Sequence, residues 1–363
     1  MSFPTAARPA RPLLRRPTSV LAALLALVTF AACGSAASSH PAGAKKSAAG
    51  AISATATSIP TRVPAGTELR VGDQLQLLQT VLSTGGQSSG LPYRVKWASF
   101  IGGPSMLQAF HAGAIDVGFV ADTPLIFAQA AGQDVVAVAG WATEHGTNEL
   151  VATPKSGISS WRDVKGKRIA FQRGTSAEAT VLQGLKRAGL TLHDIKVVDL
   201  PFTQIAASLQ GGSVDAGILA PPLDTAYLKA NPGAKVVDRP DDLTARVSFL
   251  IASKAALREP AKAAAIRDYI LRLGRAFTAI KTRPDQFVQR FYVEKYHLTA
   301  AAGRELLAKT GSSSFIPLSG ALVPAQQALA DLYTDAGEIP SRLDAAAEFD
   351  SSFAKVIDEV IAQ

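Results

Sequence analysis

From Glu68 onward, short apolar runs with the make-up of β-strands alternate with stretches whose apolar residues recur at helical spacing. The strand-like runs are Leu69–Gly72, Tyr93–Trp97, Val117–Val120, Val135–Val138, Arg168–Phe171, Lys196–Asp199, Ala216–Leu219 and Lys235–Asp238. Between them lie the helical patterns Pro104–His111, Thr123–Ala130, Ala177–Ala188, Gln204–Leu209 and Leu223–Ala230. Such alternation restricts the chain to parallel sheets covered by helices, an α/β architecture. After Phe249 the pattern becomes mainly helical, over Pro260–Lys281, Pro284–Tyr296, Ala300–Thr310 and Ala325–Ala336. A body of about 300 residues is long for one hydrophobic core and comfortable for two.

Two halves are also written into the sequence as an echo. Gly113-Ala-Ile-Asp116-Val-Gly118 and Gly212-Ser-Val-Asp215-Ala-Gly217 each follow a helix, turn on glycine and open a strand on an acid. The period is far too long for a solenoid and suits two similar lobes facing each other. Ligands of open parallel sheets bind outside the carboxyl ends of the strands. The loops to watch are therefore Asp73-Gln74 and Ala121-Asp122-Thr123 in one lobe, and Gln172–Ser176 and Ala220-Pro221-Pro222 in the other. Asp116 and Asp215 stand at the opposite strand ends and read as structural.

The chemistry concentrates in Arg168–Leu190. The run Arg168–Phe171 passes through Gly174-Thr175-Ser176 into a helix with Val181, Leu182, Leu185 and Ala188 on one face. Gly174 can take a positive φ and Thr175 or Ser176 can cap the helix, whose first amides carry the positive end of its dipole. Such a helix start binds anions, although an ordinary N-cap looks the same in sequence.

The first segment carries Arg8, Arg11, Arg15 and Arg16 and no acidic residue, then the apolar run Val20–Phe30 and Ala31-Ala32-Cys33. A basic start, a short apolar core and small residues before the break predict an export signal over residues 1–33. Cys33 is the only cysteine, so no intramolecular disulfide can form, and its place is that of a lipid-bearing residue. Cleavage removes four arginines and takes the formal net charge from +8 to +4. The remaining Lys and Arg form no basic stripe, and no nucleic acid is implied. Residues 34–66 are mostly Ala, Ser, Thr, Gly and Pro, with Lys45-Lys46 and no acidic residue, which reads as a disordered tether.

Phe100-Ile-Gly-Gly-Pro104-Ser-Met-Leu-Gln-Ala, Gly113–Gly118 and Ala121-Asp122-Thr123-Pro124-Leu-Ile-Phe-Ala-Gln-Ala130 together resemble the substrate-binding proteins of aliphatic sulfonate, taurine and nitrate ABC importers. The likeness continues through Trp161–Ser176 and Gly212–Ala216 and covers the chain from about Leu69 to its end. It implies a type II periplasmic binding fold of two lobes with two crossings, near Asn148–Thr153 and Val247–Ala252. Residues 67–152 and 247–363 would form lobe 1, residues 153–246 lobe 2, and the helical C-terminus would pack on lobe 1. It further implies a monomeric, non-catalytic receptor, lipid-anchored on the outer face of the cytoplasmic membrane, that passes a small organic oxyanion to a permease and its ATPase. A sulfonate suits helix-end amides and hydroxyls. Gly174, Thr175 and Ser176 would hold the head group, with Gln74, Asp122, Thr123 and Gln172 supplying further contacts and Arg246 beside the return crossing. Where the family often has Trp-Asp-Pro, this chain has Ala220-Pro221-Pro222, which removes an aromatic wall and a carboxylate. Phe100, Trp141 and Phe202 are candidates to line the pocket instead, or to be core.

An enzyme is the competing class. Glu144-His145 and Glu149 place carboxylates near an imidazole, the material of a general base. No nucleophile elbow or zinc-protease motif completes it, five histidines are too few for a ligand cluster, and no cofactor is implied. The cysteine-rich motif of a thiamine-pyrimidine synthase on the same fold is absent. A receptor for a pyrimidine thiamine precursor is the nearer alternative.

Overall fold

The structure, a computed structural model, describes residues 59–237 and 246–363. The export signal, Cys33, most of the expected tether and Asp238 lie outside the described residues. In chain order the first lobe begins with β1 (Glu68–Gln74), α1 (Leu77–Thr84), β2 (Arg94–Phe100), α2 (Gly103–His111), β3 (Val117–Ala121), α3 (Asp122–Ala130) and β4 (Val135–Thr143). The second lobe follows as β5 (Glu149–Ala152), β6 (Arg168–Phe171), α4 (Ser176–Ala188), β7 (Lys196–Asp199), α5 (Phe202–Gln210), β8 (Ala216–Leu219), α6 (Leu223–Ala230) and β9 (Lys235–Val236). The chain then returns through β10 (Val247–Ser253), α7 (Lys254–Arg258), α8 (Pro260–Thr282), α9 (Pro284–Phe287), α10 (Ala300–Thr310), β11 (Ser313–Ile316), α11 (Leu322–Asp335) and α12 (Ala354–Ile361).

Six strands form one sheet in the order β11-β4-β10-β3-β1-β2, and five form the other in the order β7-β6-β8-β5-β9. The sheets are mixed, a correction to the all-parallel expectation. β10 runs antiparallel between β3 and β4, and β5 antiparallel to β8 and β9. The physical reason is connectivity: a strand entering a sheet from the other lobe arrives at the carboxyl edge and must run against its neighbours. The chain leaves the first sheet after Thr143 and enters the second at Glu149. Because β10 is reversed, its start lies at the carboxyl edge of β3 and β4, where Thr143 N donates to Arg246 O at 2.9 Å.

Each sheet has its own core. Val181 and Leu185 of α4 pack with Ile169, Phe171 and Ile218 in one lobe, while Leu69, Val71, Leu78 and Tyr269 centre the other. The C-terminal helices do more than cover the first lobe. Ile126 of α3, Ala179 and Leu182 of α4 and Leu329, Ala330 and Tyr333 of α11 share one apolar cluster, so α11 joins both lobes.

The echo is realised atom for atom. Asp116 accepts from Arg70 N at 2.9 Å, Nε at 3.1 Å and Nη2 at 2.6 Å. Asp215 accepts from Arg168 N at 2.8 Å, Nε at 3.2 Å and Nη2 at 2.7 Å. Hydrogen bonds from Arg168 hold the Asp215 carboxyl below its usual range. At Asp116 burial works against ionisation, yet Arg70 and Lys262 still leave it low. Each pair ties the start of a central strand to the turn before its neighbour, far from the carboxyl edges.

Candidate functional site

Three helix starts converge between the lobes. Gly102 lies at φ +81, and a side chain there would meet Gln172 Nε2 at 3.5 Å, so the start of α2 faces the second lobe. Gly174, at φ +70, looks back at Pro104 Cγ across 3.7 Å. The starts of α3 and α4 meet through Tyr333 of α11, which is fully buried. Its hydroxyl stands 3.4 Å from Thr123 Oγ1 and 3.3 Å from the Thr175 carbonyl. Thr123 and Thr175 are thus two hydrogen-bond lengths apart at most.

The α4 turn is held from within. Thr175 Oγ1 donates to Gln172 O at 2.7 Å and accepts from Ala177 N at 3.3 Å, so this hydroxyl is used as the cap. Gly174 N donates to Glu178 Oε2 at 2.8 Å. What remains open is specific: among the described residues the amides of Thr175 and Ser176 donate to nothing. Ser176 Oγ accepts from Asn148 Nδ2 at 3.1 Å and keeps its own proton to donate. Gln172 accepts from Phe202 N at 3.1 Å through Oε1, which leaves its amide protons free. Two backbone N–H groups, a hydroxyl and a carboxamide are thus gathered at the positive end of a helix, donors of the kind an anion accepts from.

The other expected residues take varied places. Gln74 Nε2 donates to Phe119 O at 2.8 Å at the end of β1. Asp73 is fully buried and caps α1, accepting from Leu78 N and Gln79 N at 3.0 Å each. The following Leu75 and Gln76 adopt φ 51 and 53, a left-handed conformation uncommon for such residues. Lys295 secures them through the Leu75 carbonyl and Gln76 Oε1. Asp122 Oδ1 accepts from Thr123 N at 2.6 Å and Thr123 Oγ1 at 3.2 Å. The backbone N–H of Asp122 itself also hydrogen-bonds its carboxyl group. Arg246 is exposed, and its Nη1 donates to the Glu144 carbonyl at 3.0 Å. Arg173, beside the turn, pairs with Glu338 and with Glu178.

Buried carboxyl groups stand close to these donors. Burial pushes Asp122 up to about 6, Glu178 to about 7 and Glu348 to about 8. Near pH 7 Asp122 is mostly ionised, Glu178 is shared between its two forms, and Glu348 keeps its proton.

Other candidates fall away from the cleft. Trp141 packs against Phe119, Phe277 and Phe315 in the first core instead of lining a pocket, because its strand is buried on both faces. Glu144 accepts from Ser312 Oγ at 2.5 Å, and Glu149 pairs with Lys309 at 2.9 Å, so neither carboxylate is oriented on His145 by these contacts. Among the described residues no group of three or more His, Cys, Asp or Glu could hold a metal ion. None of their helices is long and apolar enough to cross a membrane.

Sequence reasoning missed Tyr333, Asn148 and Gln326. All three reach the site from segments distant along the chain, and none sits in a motif. After β8, Asp224 at the start of α6 is fully buried and pairs with Lys309 at 2.6 Å.

The profile of the NMT1/THI5-like family matches residues 102–285. An Escherichia coli strain K12 relative, provisionally named an aliphatic sulfonates-binding protein, is 29% identical over 279 residues, covering 76% of this chain and 86% of its own. Among solved structures, the alkanesulfonate-binding protein SsuA of Xanthomonas axonopodis pv. citri, bound to MOPS, superposes with a TM-score of 0.71 at 28% identity, over 79% of this chain and 99% of that one. The periplasmic aliphatic sulphonate-binding protein SsuA of Escherichia coli gives 0.69 at 27% identity, over 80% and 100%.

Proposed function

The chain belongs to the NMT1/THI5-like family, and on that premise we propose that it is the solute-binding component of an ABC importer that captures an aliphatic sulfonate between its lobes. The observation that carries this reading is the open donor set at the start of α4: the amides of Thr175 and Ser176, the Ser176 hydroxyl and the Gln172 carboxamide. A sulfonate has three acceptor oxygens and one delocalised charge, which these four donors match without a cation. Thr175 serves by its backbone and Gly174 by giving the turn its left-handed conformation. Gln74, Asp122 and Thr123 approach from the first lobe, and Arg246 stands at the return crossing.

In this reading Cys33 carries the lipid anchor, the residues before Ile59 tether the body, since Ile59 and Val63 of the expected tether 34–66 pack on the first core, and residues 67–152 with 247–363 close against 153–246. The protein works as a monomer outside the cytoplasmic membrane, hands its ligand to a permease driven by an ATPase, and has no turnover of its own. Closure by rotation about two crossings makes the test direct. Solution scattering with and without saturating ethanesulfonate is expected to show compaction, with one ligand bound per chain. Unchanged dimensions, or formation of a product from the sulfonate, would count against it.

A further inference from the structure

Carboxylates outnumber cations around the start of α4. Glu178, in the first turn of that helix, is fully buried, and its Oε2 accepts from Gly174 N at 2.8 Å. Gly174 N adjoins the open amides of Thr175 and Ser176, so this carboxyl and an incoming anion share one positive helix end. Arg173 supplies the cation, with its Nε 3.4 Å from Glu178 Oε1. The same guanidinium pairs with Glu338, which follows α11, and Arg173 N donates to Asp199 Oδ1 at the end of β7 at 3.1 Å. One guanidinium among the described residues thus stands amid three carboxyl groups.

The other elements packed against α4 bring no further cation to Glu178. Arg168 lies at the far end of β6, held by Asp215, and β8 carries no titratable side chain. From α11 come the Tyr333 hydroxyl and two acids, Asp331 and Asp335, which pair with Arg342. Asp122 stands at the start of α3. Arg162 and Asp163 belong to the Trp161–Val164 turn, which meets α4 further along at Gly184, and Lys186 and Arg187 lie in the last turn of α4 itself.

An ionised Glu178 would repel an anion resting on the Thr175 and Ser176 amides. Burial, helped by Glu338 and Asp199, pushes its carboxyl up to about 7, although Gly174 N and Arg173 pull the other way. A bound sulfonate adds a negative charge close by and disfavours ionisation further. The complex therefore holds the proton more tightly than the empty receptor does. By linkage, affinity is highest with the proton in place and falls as pH rises from about 7.

We infer that Glu178 is a positioning residue that couples sulfonate capture to proton uptake, so that the turn holds its anion most tightly when this carboxyl is protonated and releases it more readily as pH rises. This rests on the sulfonate reading of the α4 turn. A unit charge several ångströms away in a partly buried site raises a carboxyl by on the order of one pH unit, which corresponds to a roughly tenfold limit on the change in affinity.

The experiment is calorimetric titration of ethanesulfonate into the full chain, purified in mild detergent, in Tris and in triethanolamine, two buffers that carry no sulfonate and differ in ionisation enthalpy. Wild type is expected to take up about half a proton per sulfonate at pH 7.5, and its dissociation constant to be roughly five- to tenfold higher at pH 8.5 than at pH 6.5. Glu178→Gln still accepts from Gly174 N but cannot ionise, and is expected to hold that change to about threefold or less. Arg173→Gln removes the cation and is expected to move the fall in affinity to higher pH. Absence of proton uptake by wild type overturns the inference while leaving the sulfonate reading in place, and this measurement needs no variant to fold. A pH dependence unchanged in Glu178→Gln, or a fall that stays in place in Arg173→Gln, overturns the assignment to Glu178. Failure of ethanesulfonate to bind wild type at any of these pH values overturns the sulfonate reading and the inference with it.

Discussion

Glu348→Gln is expected to stabilise this protein at neutral and alkaline pH, the reverse of what removing a buried acid usually does. Glu348 is 2% exposed, its Oε2 accepts from Gln326 Nε2 at 2.8 Å, and its Oε1 has no hydrogen-bond partner among the described residues. Gln326 Nε2 also donates to the Asp122 carbonyl at 3.0 Å, so the carboxyl is packed behind the start of α3, and the Asp122 charge disfavours its ionisation further. Burial raises its pKa from 4.5 to about 8. A carboxyl with a raised folded-state pKa binds its proton more tightly in the folded chain than in the unfolded one. Stability from this group is therefore full below the unfolded value and falls as pH rises from about 4.5 towards 8. At pH 7.5 the unfolded chain has released the proton and the folded chain has not, a difference of roughly 2–4 kcal/mol against a side chain that cannot ionise. Glutamine keeps the shape and can still accept from Gln326. Urea unfolding of wild type and Glu348→Gln at pH 5, 6.5 and 8 measures the effect. The two should agree within about 1 kcal/mol at pH 5 and separate with rising pH, the variant becoming the more stable. A variant less stable than wild type by the same amount at every pH would refute the argument, since it would mean that the fold uses the ionised form.

Thr175→Ala should lower stability by about 1–2 kcal/mol in urea, because the hydroxyl caps α4, and should weaken sulfonate binding less than Ser176→Ala does. Lys309→Met leaves Glu149 and Asp224 facing each other without their ammonium. Because Lys309 is 30% exposed, a loss of roughly 2–3 kcal/mol at pH 7.5 is expected, smaller at pH 5 because burial raises the Glu149 carboxyl above its usual range, and an equal loss at both pH values would show that the pair is not electrostatic. Cys33→Ser should move the protein from the membrane fraction to the soluble one, and membrane retention would show that the anchor lies elsewhere.

The α/β alternation was legible because strands and helices here carry distinct apolar periods and break at glycine. The turn at Gly174–Ser176 was legible for the same reason: the switch of period, the left-handed glycine and the capping hydroxyl are all local. β5 and β10 read only as crossings, since a strand buried on both faces has no alternation to show and its partners come from distant segments. β11 opens on Ser313-Ser314 at a sheet edge and carries too little apolar signal. α1 was hidden by its entry through Leu75 and Gln76, neither of which announces a left-handed turn. Within the site, sequence placed Thr175 and Ser176 side by side as equals. Their hydroxyls differ because Gln172 O and Ala177 N take one and Asn148 orients the other, and that distinction exists only in three dimensions.

A sulfonate resting on the start of α4 is the core of the proposed function, and calorimetric titration of ethanesulfonate into wild type and Ser176→Ala probes that contact. Ser176 donates the one side-chain hydroxyl left free at that turn. Loss of a hydrogen bond to a charged acceptor is expected to raise the dissociation constant roughly ten- to a hundredfold. Urea unfolding of the same samples should show stability within about 1 kcal/mol of wild type, which keeps the effect on the ligand apart from any effect on the cap. Equal affinities for the two proteins would remove the ligand from Gly174–Ser176, and a wild-type chain that binds no sulfonate would contradict the account at its root.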